Sequence, residues 1–147
     1  MASTAYEITG SFGNIVSDDE IIFPNVLSCV AVACRVGGGL VGVHIALADR
    51  GRLSQVVEHV VSTYGRPNEV FVIGPVLGAY NVSSFANFLC PIRVYDTNGG
   101  IDVRASISYG AASFATKQAG SSGSSGRGRR GGGGWTDIPL TRFVSGA

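Results

Sequence analysis

Cys29 and His44 are the residues of this sequence whose types and spacing point to chemistry. They lie 15 residues apart, in two valine- and alanine-rich stretches at 26–34 and 40–47. Arg35-Val36-Gly37-Gly38-Gly39 separates the stretches, so the pattern reads as two buried strands joined by a glycine hairpin. With the loop centred between Val36 and Gly37, Cys29 lies directly opposite His44; a Gly37-Gly38 turn makes them diagonal neighbours on the same face. An odd-numbered loop or a bulge puts them on opposite faces. A thiol beside an imidazole is the smallest unit for acyl transfer: the ring takes the proton, the sulfur attacks a carbonyl carbon, and the imidazolium protonates the leaving group. Nitrogen leaving from an amide fits that sequence.

The bland alternative is that a cysteine in an apolar strand is a small buried hydrophobe and a histidine in a sheet a satisfied polar residue. Alternation along the hairpin bears on the choice. Val30, Val32 and Cys34 share a face with Val41, Val43, Ile45 and Leu47, a bulky core surface. The face of Cys29 and His44 also carries Ala31, Ala33, Gly42 and Ala46, which leaves room for a visiting side chain. Cys34 reads as core, Cys90 before Pro91 as packing, and His59 as a solvated helix position.

Other site classes have less behind them. Gly37-Gly38-Gly39 lacks the lysine and helix start of a phosphate loop, and His44 and His59 offer no metal spacing, so neither a cofactor nor a metal is expected. Asp18-Asp19-Glu20 reads as a solvated turn. Arg127-Gly128-Arg129-Arg130-Gly131 resembles an RNA-contacting RGG segment, although such a run also serves as a solubilising linker.

The elements that must position the pair follow from the remaining pattern. The chain has 147 residues, 45% hydrophobic and 14% charged, which suits one domain spanning 1–147. Its formal charge is +1, and setting the three loop arginines aside leaves eight basic against ten acidic residues, so a nucleic-acid partner is not expected. Three cysteines without a CxxC pair fit neither a disulfide framework nor a thiolate zinc site and suggest a reducing cytosol. The first residues lack the basic and apolar segments of a Sec signal peptide, and no apolar run approaches the 18 or so residues of a membrane span.

Leu53, Val56, Val57, Val60, Val61 and Tyr64 recur at helical spacing, with Asp49 as a cap and Gly65 and Pro67 as stops. Residues 69–73 read as a buried strand and 83–89 as a short helix. Residues 92–96 and 101–108 flank Thr97-Asn98-Gly99-Gly100, which predicts a second hairpin. The Gly/Ser/Arg segment 119–134 cannot bury enough apolar surface to order itself and is expected to be a flexible loop, after which 135–144 returns as a last strand. The expected fold is α+β: a mixed, largely antiparallel sheet or sandwich with flanking helices.

At Ser28-Cys29-Val30-Ala31-Val32, followed by the glycine turn and His44, the chain resembles the protein-glutamine deamidases related to CheD, the cytotoxic necrotizing factor catalytic domain and the Burkholderia lethal factor. The order of elements over 21–110 is similar to CheD, while Leu27-Ser28-Cys29 and the strand after the Gly/Ser-rich segment look more like the lethal factor. The resemblance implies Cys29 as nucleophile and His44 as general base, acting on an exposed glutamine of a protein substrate in a cytosol, without a cofactor. The threonine that orients the histidine in CheD and the lethal factor is replaced by Phe23. Either a backbone carbonyl, as in the necrotizing factors, or Asn25 must then hold the ring. The leading expectation is a toxin- or effector-like deamidase; the others are a CheD-like chemoreceptor deamidase and a non-catalytic module whose Arg-rich loop contacts RNA.

Overall fold

A computed structural model describes residues 2–8, 12–74, 82–97, 100–119 and 134–146. In chain order they form strands β1 (Ser3–Thr4), β2 (Val16–Asp18), β3 (Glu20–Val26), β4 (Cys29–Val36) and β5 (Gly39–Ala46), then helix α1 (Leu53–Tyr64). Strands β6 (Glu69–Gly74), β7 (Ile92–Asp96), β8 (Ile101–Ser108), β9 (Ala111–Gln118), β10 (Thr136–Ile138) and β11 (Val144–Ser145) follow. The architecture is α+β with two mostly antiparallel sheets, one ordered β1-β3-β8-β9-β10 and the other β11-β7-β6-β4-β5-β2. The Arg-rich run Arg127, Arg129, Arg130 and most of the 119–134 segment lie outside the described residues.

The central hairpin sets the layers. Alternate residues of β4 point to opposite faces. Val30, Val32 and Cys34 pack with Val41, Val43 and Ile45 against Leu53, Val56, Val57 and Val60 of α1, and against Phe85 and Phe88 of the short 3-10 turn Val82–Phe88. Cys29, Ala31 and Ala33 face the five-stranded sheet, packing with Ile21, Phe23, Val103, Ala105 and Phe114. The result is a three-layer arrangement of sheet, sheet and helix.

The small residues on this inner face serve close packing at Gly42, rather than leaving room there for a visitor as their size suggested. They let the opposite sheet come close: a Cβ on Gly42 would lie 2.9 Å from Ile21 Cγ2 and 3.0 Å from Phe23 Cζ. Bulk on β3 fills the space that β5 leaves.

Several elements depart from the sequence reading. Residues 26–34 are not one strand, because β3 ends at Val26, Leu27 and Ser28 turn, and Cys29 opens β4. The acidic run is no simple turn: Asp18 ends β2 and Glu20 begins β3. Asp49 does not cap α1, which has Arg52 at its N-cap after a 3-10 turn, Leu47–Arg52. Gly65 does end it, at φ 112°, a conformation that costs glycine little. The expected hairpin of residues 92–108 is absent: β7 pairs in parallel with β6 in one sheet, whereas β8 pairs with β3 and β9 in the other. The end of the chain is divided likewise, β10 pairing with β9 and β11 with β7.

Gly42→Ala is expected to destabilise the fold by about 1–3 kcal/mol, since the added methyl overpacks the sheet interface. Gly38→Ala, with nothing within 4 Å of an added Cβ and no positive φ, should shift the urea midpoint little. Equal midpoints for the two variants would remove the close sheet contact as the reason for glycine at position 42.

Candidate active site

The hairpin turn determines whether thiol and imidazole meet. Gly37 adopts φ 59° and Gly38 does not take a positive value, the pattern of a two-residue turn with glycine in its first position. Ala31 then pairs with His44 and Cys29 with Ala46, so Cys29 and His44 are diagonal neighbours on the inner face. Cys29 Sγ lies 2.9 Å from His44 Nε2.

His44 is the only buried polar or charged side chain among the described residues, at 2% exposure. A buried ring requires partners at both nitrogens. Nδ1 lies 3.0 Å from the carbonyl oxygen of Ala5, and a carbonyl only accepts, so Nδ1 carries the proton and Nε2 is the acceptor facing the thiol. Ala5 is itself anchored: its amide donates to Ile22 O at 2.8 Å, beside the β1–β3 ladder. The ring is therefore oriented from the main chain, and Asn25 does not perform the orienting role open to it in the sequence. Phe23, which replaces the threonine expected from the resemblance to CheD and the lethal factor, packs T-shaped with the imidazole, ring centroids 6.3 Å apart.

Asn25 is nonetheless brought to the site, through its backbone. The β3–β8 register shifts between Phe23 and Val26, where Pro24 offers no N–H to the ladder and Asn25 sits at φ 53°. The Asn25 amide donates to Asp102 Oδ1 at 2.8 Å, and its carbonyl lies 3.7 Å from Cys29 Sγ, within reach of the S–H.

The residue missed in the sequence is Glu7. It forms a parallel bridge with His44, and the Ile8 amide donates to His44 O at 3.0 Å. The reactive atoms of Glu7, Cys29 and His44 lie within 4.8 Å of one another, a group able to hold a metal ion where the two histidines alone are not. Ligands of a tetrahedral zinc stand about 3.5 Å apart. At 2.9 Å, the sulfur and nitrogen are instead closed on each other as a hydrogen-bonded pair. Glu7 also lines a pocket of about 470 Å³ with Tyr6, Pro24, Asn25 and His44.

Burial pushes the Cys29 thiol above its ordinary 9.0; main-chain hydrogen bonds from Leu27 and Ser28 oppose it and the Glu7 charge reinforces it. Burial also holds the His44 imidazole below its ordinary 6.5, opposed by the Ala5 hydrogen bond and the Glu7 charge. The pair at neutral pH is thus thiol and neutral imidazole. Cys34 is fully buried on the other face, its thiol pushed up by desolvation, and Cys90 lies apart from the site, its thiol raised by burial against the Arg66 charge. His59 stands on α1 with its ring against Phe12. No helix among the described residues is long and apolar enough to cross a membrane. No family model and no curated protein matches the chain, so the site rests on its own geometry.

The depressed His44 has a measurable linkage. Below about pH 6.5 the unfolded chain takes up a proton at this ring that the folded chain refuses, so stability attached to His44 is present above that pH and lost as pH falls toward the folded value. The urea-midpoint difference between the parent and His44→Gln should therefore change between about pH 7.5 and pH 5, the parent losing ground. A constant difference across that range would show that the ring is not held neutral.

Proposed function

We propose that the chain is a protein glutamine deamidase with a thiol mechanism, toxin- or effector-like, built on the CheD and necrotizing-factor type of α+β fold. The observation that carries the reading is the 2.9 Å contact between Cys29 Sγ and an imidazole nitrogen made acceptor by the Ala5 carbonyl. Support comes also from the run of elements after the hairpin, a helix, a strand ending at Gly74 and a short 3-10 turn before β7, which is in the order that the resemblance implies, although the strand pair it also implies around 96–100 is not formed, β7 and β8 belonging to different sheets.

The chemistry proceeds in two halves. Nε2 of His44 takes the thiol proton and the sulfur attacks the carboxamide carbon. The tetrahedral intermediate collapses with cleavage of its C–N bond, the imidazolium gives its proton to the nitrogen, and ammonia leaves a thioester on Cys29. Water then loses a proton to Nε2 and attacks the thioester; the C–S bond breaks, the sulfur is reprotonated, and the glutamine has become glutamate.

Recession of the sulfur favours a side-chain amide over a peptide bond. Cys29 is 2% exposed and contacts two residues lining the pocket, Asn25 and His44. A main-chain carbonyl of a folded substrate cannot be lowered to such an atom, whereas the tip of a long, thin side chain can. Tyr6, 61% exposed, and Leu27, 56% exposed, stand next to these residues and offer apolar contact to a protein surface.

Intact-mass spectrometry of candidate target proteins should show a gain of about one dalton per converted glutamine. Cys29→Ala should abolish it, and His44→Ala should lower the rate about 10²- to 10⁴-fold, the range supplied by a positioned proton carrier. Asn25→Gly, which keeps the carbonyl and accepts the positive φ, should stay close to the parent. Conversion that persists in Cys29→Ala ends the covalent mechanism.

A further inference from the structure

The mechanism leaves Glu7 without a part, although its carboxylate completes the group whose reactive atoms lie within 4.8 Å of one another. Glu7 is exposed, and its backbone is held on two sides: by the bridge to His44, and by Asn14 Nδ2 donating to the Glu7 carbonyl at 2.7 Å. Among the described residues that line the pocket, Glu7 is the one with a carboxylate, and it stands next to the sulfur and the ring.

We propose that Glu7 is the specificity-determining residue of this pocket, accepting a hydrogen bond from the nitrogen of a neutral carboxamide and repelling a carboxylate. The proposal rests on the deamidase reading and names what that site admits. A carboxamide nitrogen offers two N–H donors and its group carries no charge, so a carboxylate on the wall is a suitable partner. A carboxylate ligand has no donor and meets a like charge. The glutamate formed by the reaction is such a ligand, so the same residue that admits the substrate side chain drives the product out. Its charge favours the imidazolium of His44 and disfavours the thiolate of Cys29, so its part in this site is selection of the ligand rather than the proton transfer.

Iodoacetamide and iodoacetate test this on the full chain without a substrate protein. Both form an S–C bond at a thiol, release iodide and lose the thiol proton, and they differ in ending in a carboxamide or a carboxylate. Second-order rate constants are read for each cysteine by peptide mass spectrometry, with the half-buried Cys90 as internal reference. The iodoacetamide-to-iodoacetate ratio at Cys29 should fall about five- to tenfold in Glu7→Gln while that at Cys90 stays unchanged, the scale of one screened charge a few ångströms away. Glu7→Asp, which keeps the charge, should restore most of it, and about 1 M salt should lower the parent's ratio toward that of Glu7→Gln. An unchanged ratio in Glu7→Gln, a parental ratio insensitive to salt, or a parental Cys29 that does not react with iodoacetamide would each overturn the proposal. These ratios involve no turnover, so a failed search for deamidation leaves them standing, and an unchanged ratio leaves the mass-gain experiment standing.

Discussion

The hydrogen bond from His44 Nδ1 to the Ala5 carbonyl is the interaction on which the site depends. An imidazole this deeply buried costs free energy unless both ring nitrogens are paired, and among the described residues the partner of the one not facing the sulfur comes from the N-terminal segment. That segment is well placed to supply it. Its β1 strand joins β3 in one sheet, Ala5 bonds to Ile22 and to His44, and Glu7 bridges β5 in the other sheet. One short stretch thus ties the sheets together at the site, selects the tautomer that can accept the thiol proton, and carries the carboxylate to the pocket wall.

The legible part of this arrangement was local. Valine and alanine alternation with three glycines marked the hairpin, and the parity of its loop put Cys29 and His44 on one face. The 3.6-residue recurrence marked α1, because burial of one stripe leaves a periodic trace in composition. The acceptor at Nδ1 leaves no such trace. Any residue at position 5 supplies a carbonyl, so the sequence leaves a main-chain acceptor open without locating it, and the side-chain alternative, Asn25, meets the sulfur through its carbonyl and not through its amide side chain. Glu7 was hidden for a related reason: it reaches the site through a single bridge formed 37 residues away in sequence.

Sheet membership failed where a local signal was given a non-local meaning. Asn-Gly between two strand-like stretches is a strong hairpin signature, yet β7 and β8 belong to different sheets. The decision is made by β6 and β3. Val70, Val72 and Gly74 of β6 accept β7 in parallel register, while β3 and β9 enclose β8 on both edges. The amphipathic alternation of β8 marks which of its residues are buried and not which strand it pairs with, so it does not distinguish a hairpin from a crossing.

Phe23 and Gly42 show why a main-chain acceptor suits this chain. The phenyl ring occupies the space over Gly42 and packs against the imidazole, ring centroids 6.3 Å apart, on the side away from the solvent-facing pocket wall of Tyr6 and Glu7. A threonine there would offer a hydroxyl but would surrender most of that ring's contact with the facing sheet. The carbonyl of Ala5 supplies the hydrogen bond from a direction that the packing leaves open, and the small Ala5 side chain, fully buried, lets the segment lie close to both sheets. Orientation and packing are therefore assigned to different residues, the ring being aimed by backbone and enclosed by an aromatic wall. Enclosure in turn keeps the imidazole neutral and the thiol protonated, so the proton waits on sulfur, 2.9 Å from the nitrogen that must receive it.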